Sequence, residues 1–167
     1  MIITTLAFCI SVMMSFLADL LLDNVSIIFM FIILIVIIFI GIIFDILGMA
    51  VTIAEEKPFH SMASSKLKGA KSSLLLIRNA SRVSNICCDV VGDICGIISG
   101  TSAAYIILQI SILASGSALV AFFSVTMSGF VAALTIGGKA IGKDIAVNNA
   151  KEILLACGRF VSLFTEK

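Results

Sequence analysis

The feature that most constrains this chain is a long uncharged stretch in its second half, residues 83–138, which contains no Lys, Arg, Glu or His. Its only charged residues are Asp89 and Asp93. Because a membrane-spanning helix needs about 20 mostly apolar residues, the stretch is long enough for two such helices joined by a tight turn. We therefore predict a transmembrane hairpin over these residues.

The composition of the whole chain favours a membrane-embedded fold. Hydrophobic residues make up 60% of the 167 residues and charged residues only 13%, whereas a soluble domain usually has about 25% charged residues. The five cysteines form no C-x-x-C pair, so neither a disulfide framework nor a zinc site is indicated. The net charge of +1 gives no indication of a nucleic-acid partner. We predict an all-α integral membrane protein that has the lipid bilayer as its partner.

Two apolar segments precede the uncharged stretch. Residues 1–24 are predicted to hold an extra N-terminal transmembrane helix, because neither a basic leader nor a small-residue cleavage site is visible. Residues 25–54 are predicted to form a second span. At 1.5 Å per residue this span exceeds the hydrocarbon thickness of about 30 Å, so it must tilt, break or continue into the cytosol. A break is expected near Asp45 to Gly48, where a carboxylate and a glycine interrupt the run. Alternatively, Asp45 lies close enough to the interface to reach water.

The eleven Lys and Arg residues set the predicted topology. They lie in two blocks, 57–82 and 139–167, and the segment 55–82 carries six basic residues against two acidic ones. Basic loops stay in the cytoplasm, so we expect a multi-pass protein of the cell membrane with about four transmembrane helices and both termini cytoplasmic. The segments 55–82 and 139–167 are predicted to form amphipathic helices at the inner membrane surface.

Within the hairpin, the polar and small residues recur every four positions. Asp89 and Asp93 would share one helix face, one turn apart. A carboxylate inside the bilayer costs about 2.5–3.5 kcal/mol on insertion scales, so we expect both to face a helix bundle or a wet cavity. A doubled G-x-x-x-G pattern beside them is predicted to pack against a neighbouring helix; it consists of Gly92, Gly96 and Gly100.

Hydroxyl groups mark the fourth predicted helix, where Ser124 and Ser128 lie roughly on one face. They are expected to serve helix packing, or else to solvate the path of an ion. The chain has a single histidine, His60, and no G-x-S-x-G, H-E-x-x-H or P-loop motif. We therefore do not expect an enzyme.

Three blocks in order resemble a known family. They are FDILGMAVTIAEEKPFHSMASSKLKGAKSSLLLIRNASRV, NICCDVVGDICGIISG and GGKAIGKDIAVNNAKEILLACGRFVSLF, and together they span about residues 40–165. In this order they are similar to the transmembrane domain of the CNNM/CorB/CorC family. The resemblance implies three membrane helices with a juxtamembrane helix, usually as a dimer, and divalent-cation transport with Mg²⁺ as the usual substrate. The chain stops at residue 167 without the CBS domains of that family, so nucleotide-linked regulation of that kind is not expected from it.

The resemblance also implies which residues would form the site. Asp45 stands where the family has a serine after phenylalanine, Asp89 and Asp93 fall near its pair of asparagines, and Lys139 stands in place of its glutamate. Gly142 replaces the family's proline.

Two functions remain open at this point. Mg²⁺ prefers oxygen ligands and usually keeps several waters, so Asp45, Asp89 and Asp93 would suit it as a metal site. Lys139 supplies no oxygen and could take the place of the cation by pairing with an aspartate. The first function is binding or movement of a cation through the aspartates. The alternative is a non-transporting membrane interaction protein in which Lys139 pairs with them.

Overall fold

A computed structural model describes the chain from residue 25 onward with short gaps. Every element in the described part is helical, and no strand occurs there. The predicted N-terminal helix, in residues 1–24, lies outside the described residues except at five positions. The described residues are 8, 9, 12, 13, 16, 25–113 and 117–165.

Six α-helices and one π-helical segment follow each other along the chain from residue 27. In chain order they are α1 (Ile27–Ile53), α2 (Glu56–Ser64), α3 (Ala70–Arg78), α4 (Ala80–Ser84), the π-helical segment (Asn85–Val91), α5 (Gly92–Leu113) and α6 (Ser117–Thr165).

In the described part of the chain, three stretches of helix are long and apolar enough to cross a membrane. They are Ile27–Ile53, Ala80–Ile112 and Val120–Leu163. The last two correspond to the hairpin that the uncharged stretch predicts, and the first corresponds to the predicted span 25–54. The all-helical class is confirmed, and three of the roughly four expected spans have helices of suitable length and composition.

Helix α1 differs from its prediction, because it passes through Asp45 and Gly48 without the expected break. Both residues keep their backbone N–H group, and a glycine within a helix costs only about 1 kcal/mol relative to alanine. Gly48 has a packing role instead. A Cβ at this position would overlap the Cys88 sulfur and lie 3.1 Å from Cys87 Cβ, so the missing side chain allows the π-helical segment to approach α1.

The described residues divide into two compact units. The first comprises the chain up to Gly41 together with Asp93–Gly138. Its core is formed by Met30 of α1 and Ile106 of α5, with Met127 of α6 packed against them.

The second unit comprises Ile42–Gly92 and Lys139–Lys167. Small residues bring α1 and α6 together in this unit. Ala50 and Ala146 are both fully buried in the same hydrophobic cluster. A Cβ at Gly142 would lie 2.7 Å from Ile46 Cγ1. The two helix backbones therefore approach closely along this line.

The segment 55–82 forms two short helices, α2 and α3, and not the single amphipathic helix of the sequence pattern. The turn at 65–69 separates them, with positive φ angles at Lys66 (55°) and Gly69 (89°). Their outer ends are joined by an ion pair in which Arg78 Nε lies 2.8 Å from Glu56 Oε1. The hydrogen bond from Arg78 holds the pKa of the Glu56 carboxyl below its usual value.

The hairpin of α2 and α3 is seated on the C-terminal part of α6. Phe59 is buried beside Val51 and Leu154. The hydroxyl of Ser73 lies 2.9 Å from the carbonyl oxygen of Leu154 and 3.0 Å from that of Gly69. One buried hydroxyl thus links the start of α3 to α6.

Helix α6 continues through Gly137 and Gly138, where the sequence predicts a separate juxtamembrane helix to begin. A kink at Asn149 (φ −121°, ψ 23°) divides α6 into two helical parts, eleven residues after Gly138. Glycines weaken a helix without ending it, because they retain the backbone N–H group.

We predict that Gly158→Ala destabilises the protein by about 1–3 kcal/mol, as overpacking does. A Cβ at Gly158 would lie 2.5 Å from the Gly69 carbonyl oxygen and 3.0 Å from the Ser73 amide nitrogen, and these backbone atoms have little freedom to move. The matched control is Gly129→Ala on the same helix, where a Cβ meets nothing within 4 Å and alanine should stabilise by up to about 1 kcal/mol. Thermal unfolding of the purified protein in detergent measures both changes, and equal effects would contradict the seating of the hairpin on α6.

Candidate functional site

The site is built around Asp45, which lies in the C-terminal third of the apolar helix α1, Ile27–Ile53. The ammonium nitrogen of Lys139, on α6, lies 3.9 Å from Asp45 Oδ1. Both side chains are partly covered, with 24% of the Asp45 side chain and 38% of that of Lys139 exposed. A direct N–H···O hydrogen bond spans about 2.7–3.2 Å, so these groups interact as charges and not through a hydrogen bond.

The small-residue contact between α1 and α6 explains this juxtaposition. Gly142, three residues after Lys139 on α6, packs against Ile46 on α1. Ile46 directly follows Asp45 in the sequence. Residues three apart on a helix lie on the same face, so the close approach at Gly142 turns Lys139 toward Asp45. Both contacts, between Gly142 and Ile46 and between Lys139 and Asp45, are made by residues within helices.

The π-helical segment forms the next side of the site. A Cβ at Gly92 would lie 3.8 Å from the Lys139 ammonium nitrogen, so this cation lies close to the end of the segment as well as to α1. Cys88 Sγ lies 3.8 Å from the backbone carbonyl oxygen of Asp45. π-helical turns are rare and recur at functional sites. The sequence analysis missed this one, and its residues, NICCDVV, contain no Gly or Pro that would have signalled it.

Asp89 and Asp93, the other two predicted ligands, are both exposed. Asp89 lies within the π-helical segment of the second unit, whereas Asp93 begins α5 in the first unit. The expected sharing of one face presumes α-helical turns, and a π-helical turn contains more residues and rotates the side chains that follow. Within the described residues, no three His, Cys, Asp or Glu side chains are grouped closely enough to hold a metal ion. The three-aspartate metal site stays a prediction.

The structure also shows the space around the glycine pattern of α5 and the exposure of the two serines of α6. Among the residues that the structure describes, none comes within 4 Å of a Cβ built at Gly96 or at Gly100. On α6, Ser124 is half-buried and Ser128 is exposed. A role for any of these four residues in helix packing or in an ion path stays a prediction.

We predict that Asp45 and Lys139 are energetically coupled. In a double-mutant cycle of Asp45→Asn, Lys139→Met and the combined variant, we expect a coupling energy of about 0.5–1 kcal/mol, at the upper end for partly exposed ion pairs. Unfolding of the purified protein in detergent measures it. The matched cycle pairs Asp45→Asn with Lys143→Met, which removes an exposed lysine one turn further along α6. A coupling energy of the same size in both cycles would show that the contact has no specific effect.

Comparisons of this chain with protein-family models, with characterised proteins and with solved structures found no match. We therefore infer its function from its own residues.

Proposed function

We propose that this chain is a multi-pass membrane protein that binds a divalent cation, with Mg²⁺ as the candidate, at a carboxylate site centred on Asp45. Lys139 would compete with the cation for the same carboxylate. The observation that carries this proposal is the 3.9 Å contact between the Lys139 ammonium and Asp45. It puts a positive charge beside a carboxylate within an otherwise uncharged apolar helix.

The membrane placement is supported by the outer surfaces of the three apolar helices. Large hydrophobic side chains lie exposed along them, among them Phe29 and Phe39 on α1 and Phe122 and Val125 on α6. Soluble proteins rarely expose contiguous apolar surfaces of this extent. The basic segment 55–82 would then face the cytoplasm together with both chain termini.

The chemistry of the site follows from the cost of an unpaired carboxylate at membrane depth. Such a group is retained where a cation meets it, and the cation can be a metal ion or an amine. Asp45 and Asp89 would hold Mg²⁺ together with water, and Asp93 stays a third candidate ligand because its carboxylate also suits this ion. Because Lys139 offers no oxygen ligand, its ammonium would have to move away before the metal could enter.

We also propose that the chain is a distant relative of the CNNM/CorB/CorC transmembrane domain. This rests on the order of the three sequence blocks, and it would make transport of the bound cation the natural activity. The lysine at 139, where the family has a glutamate, would weaken metal binding relative to other members. Transport through the site would then be slow or controlled by the position of this side chain.

The same contact favours a second candidate function. If the ammonium of Lys139 stays in place, the charge of Asp45 is already balanced and no metal is needed. The protein would then be a non-transporting membrane interaction protein whose helices are held together by this pair. The two functions differ in what happens when the lysine is removed.

We predict that Lys139→Met binds Mg²⁺ about tenfold more tightly than the native chain, because removal of a charge about 4 Å from the carboxylate relieves a repulsion worth more than one factor of ten at protein-surface dielectric. Asp45→Asn should abolish the binding, and Lys143→Met should leave it unchanged. Calorimetric titration of the purified protein with MgCl₂ measures all four.

The outcomes of this titration separate the two functions. Absence of Mg²⁺ binding in both the native chain and Lys139→Met would overturn the cation-binding proposal and favour the interaction protein. Equal gains in Lys139→Met and Lys143→Met would indicate a non-specific effect of charge.

We further propose that the chain forms a homodimer through the glycine face of α5. This is supported by the lack of any described residue within 4 Å of a Cβ at Gly96 or Gly100, since a second helix backbone could approach there.

We predict that Gly100→Leu shifts the protein from dimer to monomer, because the larger side chain blocks close approach of the helices. Gly129→Leu, which places the same side chain in open space on α6, is the matched control. Light scattering of the detergent-solubilised protein measures its mass, and a dimer that persists in Gly100→Leu would exclude this interface.

A further inference from the structure

A cleft lined by positive charge lies between the turn at 65–69 and the C-terminal part of α6. It consists of two adjoining cavities, of about 260 Å³ and about 450 Å³, which share Leu67, Lys68 and Ser162. The cations that line it are Lys66, Lys68, Lys71 and Arg159. We call these residues and the two cavities the basic cleft. Small-molecule sites typically measure about 300–1,000 Å³, and the cleft is on that scale.

Backbone contacts fix the shape of the basic cleft. The left-handed conformation of Gly69 turns the chain toward α6, and a Cβ there would lie 2.6 Å from the Arg159 amide nitrogen. On the other wall, the Ser162 hydroxyl donates a hydrogen bond of 2.8 Å to the carbonyl oxygen of Arg159. The turn and α6 are therefore held close together by backbone contact at the edge of the cleft.

The lining of the basic cleft has two chemical characters. Four cationic side chains reach it, and among the described lining residues none is acidic. Two leucines flank the charges, Leu67 with 43% and Leu163 with 76% of its surface exposed. A ligand that matches both characters carries a negative charge at one end and a hydrocarbon chain at the other.

The position of the basic cleft along the chain agrees with such a ligand. The helical stretch Val120–Leu163 has 44 residues and at 1.5 Å per residue would be about 66 Å long, so only part of it can lie in a hydrocarbon core of about 30 Å. Arg159 and Leu163 lie in its C-terminal part, within the segment 139–167 that the sequence pattern predicts at the inner membrane surface. There the cleft would lie beside the lipid headgroups. Basic residues at this depth attract anionic lipids.

We propose that the basic cleft binds the phosphate headgroup of an anionic phospholipid, with an acyl chain against Leu67 and Leu163. Lys66, Lys68 and Arg159 would contact the phosphate oxygens, and Arg159 can do so with two parallel hydrogen bonds. The proposal rests on the membrane placement of the proposed function. It does not depend on the cation site at Asp45.

The experiment measures retention of phosphatidylglycerol by the purified full chain, with native mass spectrometry during a lipid titration in detergent. The triple variant Lys66→Gln, Lys68→Gln, Arg159→Gln should bind phosphatidylglycerol about tenfold more weakly, given the strength of lipid attraction expected for several basic residues. The matched variant Lys57→Gln, Lys143→Gln, Lys151→Gln removes the same charge at three exposed lysines outside the basic cleft. It should change the affinity less than about twofold.

A second variant and two further ligands complete the test. Ser162→Asp puts a negative charge into the cleft while leaving every cation in place, and it should weaken phosphatidylglycerol binding as the triple variant does. Phosphatidylcholine should bind equally to all variants. Inorganic phosphate should not displace the lipid; displacement at similar concentrations would show a site for free phosphate and overturn the proposal.

The remaining outcomes are also decisive. Equal losses in the two triple variants would show diffuse electrostatic attraction and overturn the cleft. Failure of the membrane placement is seen separately, as absence of the native chain from the membrane fraction of the cells that express it. A chain found in that fraction with no preference for phosphatidylglycerol would overturn the lipid proposal alone.

Discussion

The charged site depends on the close approach of two helix backbones in the second unit. Gly142 and the buried pair Ala50 and Ala146 remove the side chains that would hold α1 and α6 apart. Dispersion attraction and the helix geometry then fix the register of the two helices. Lys139 faces Asp45 as a result of that register. The electrostatic interaction is therefore a consequence of packing, and a larger residue at 142 would separate the charges without altering either one.

The sequence predicts the apolar helices well, because hydropathy over about 20 residues is a direct measure of the property that matters. The span 25–54 corresponds to Ile27–Ile53, and the hairpin 83–138 corresponds to Ala80–Ile112 and the first part of Val120–Leu163. Local breaks are predicted less well. Gly48, Gly137 and Gly138 each suggest an interruption, yet the helices continue through all three. Glycine permits either outcome, and the contacts that decide between them come from residues distant in the sequence.

For the candidate site too, the sequence predicts one part and not another. The charged residues can be identified from the sequence. A carboxylate or an ammonium in an apolar run is costly in a membrane and therefore indicates a functional role. Their arrangement is not visible. The spacing of Asp89 and Asp93 has a meaning only for a regular α-helix, and the π-helical segment changes that spacing without a distinctive residue to announce it. Lys139 lies 94 positions from Asp45 along the chain, and only the packing of α1 on α6 brings the two together.

The short hairpin is attached to α6 by an apolar contact, by close approach of backbone atoms and by one serine. Phe59 is buried beside Leu154. Gly69 and Gly158 meet their neighbours through backbone, and Ser73 bonds to two carbonyl oxygens. The lysines of the intervening turn take no part in that attachment. The backbone structure and the charge of this surface therefore depend on different residues. Substitutions of the lysines in the turn can change the surface charge while the packing of the hairpin on α6 stays the same.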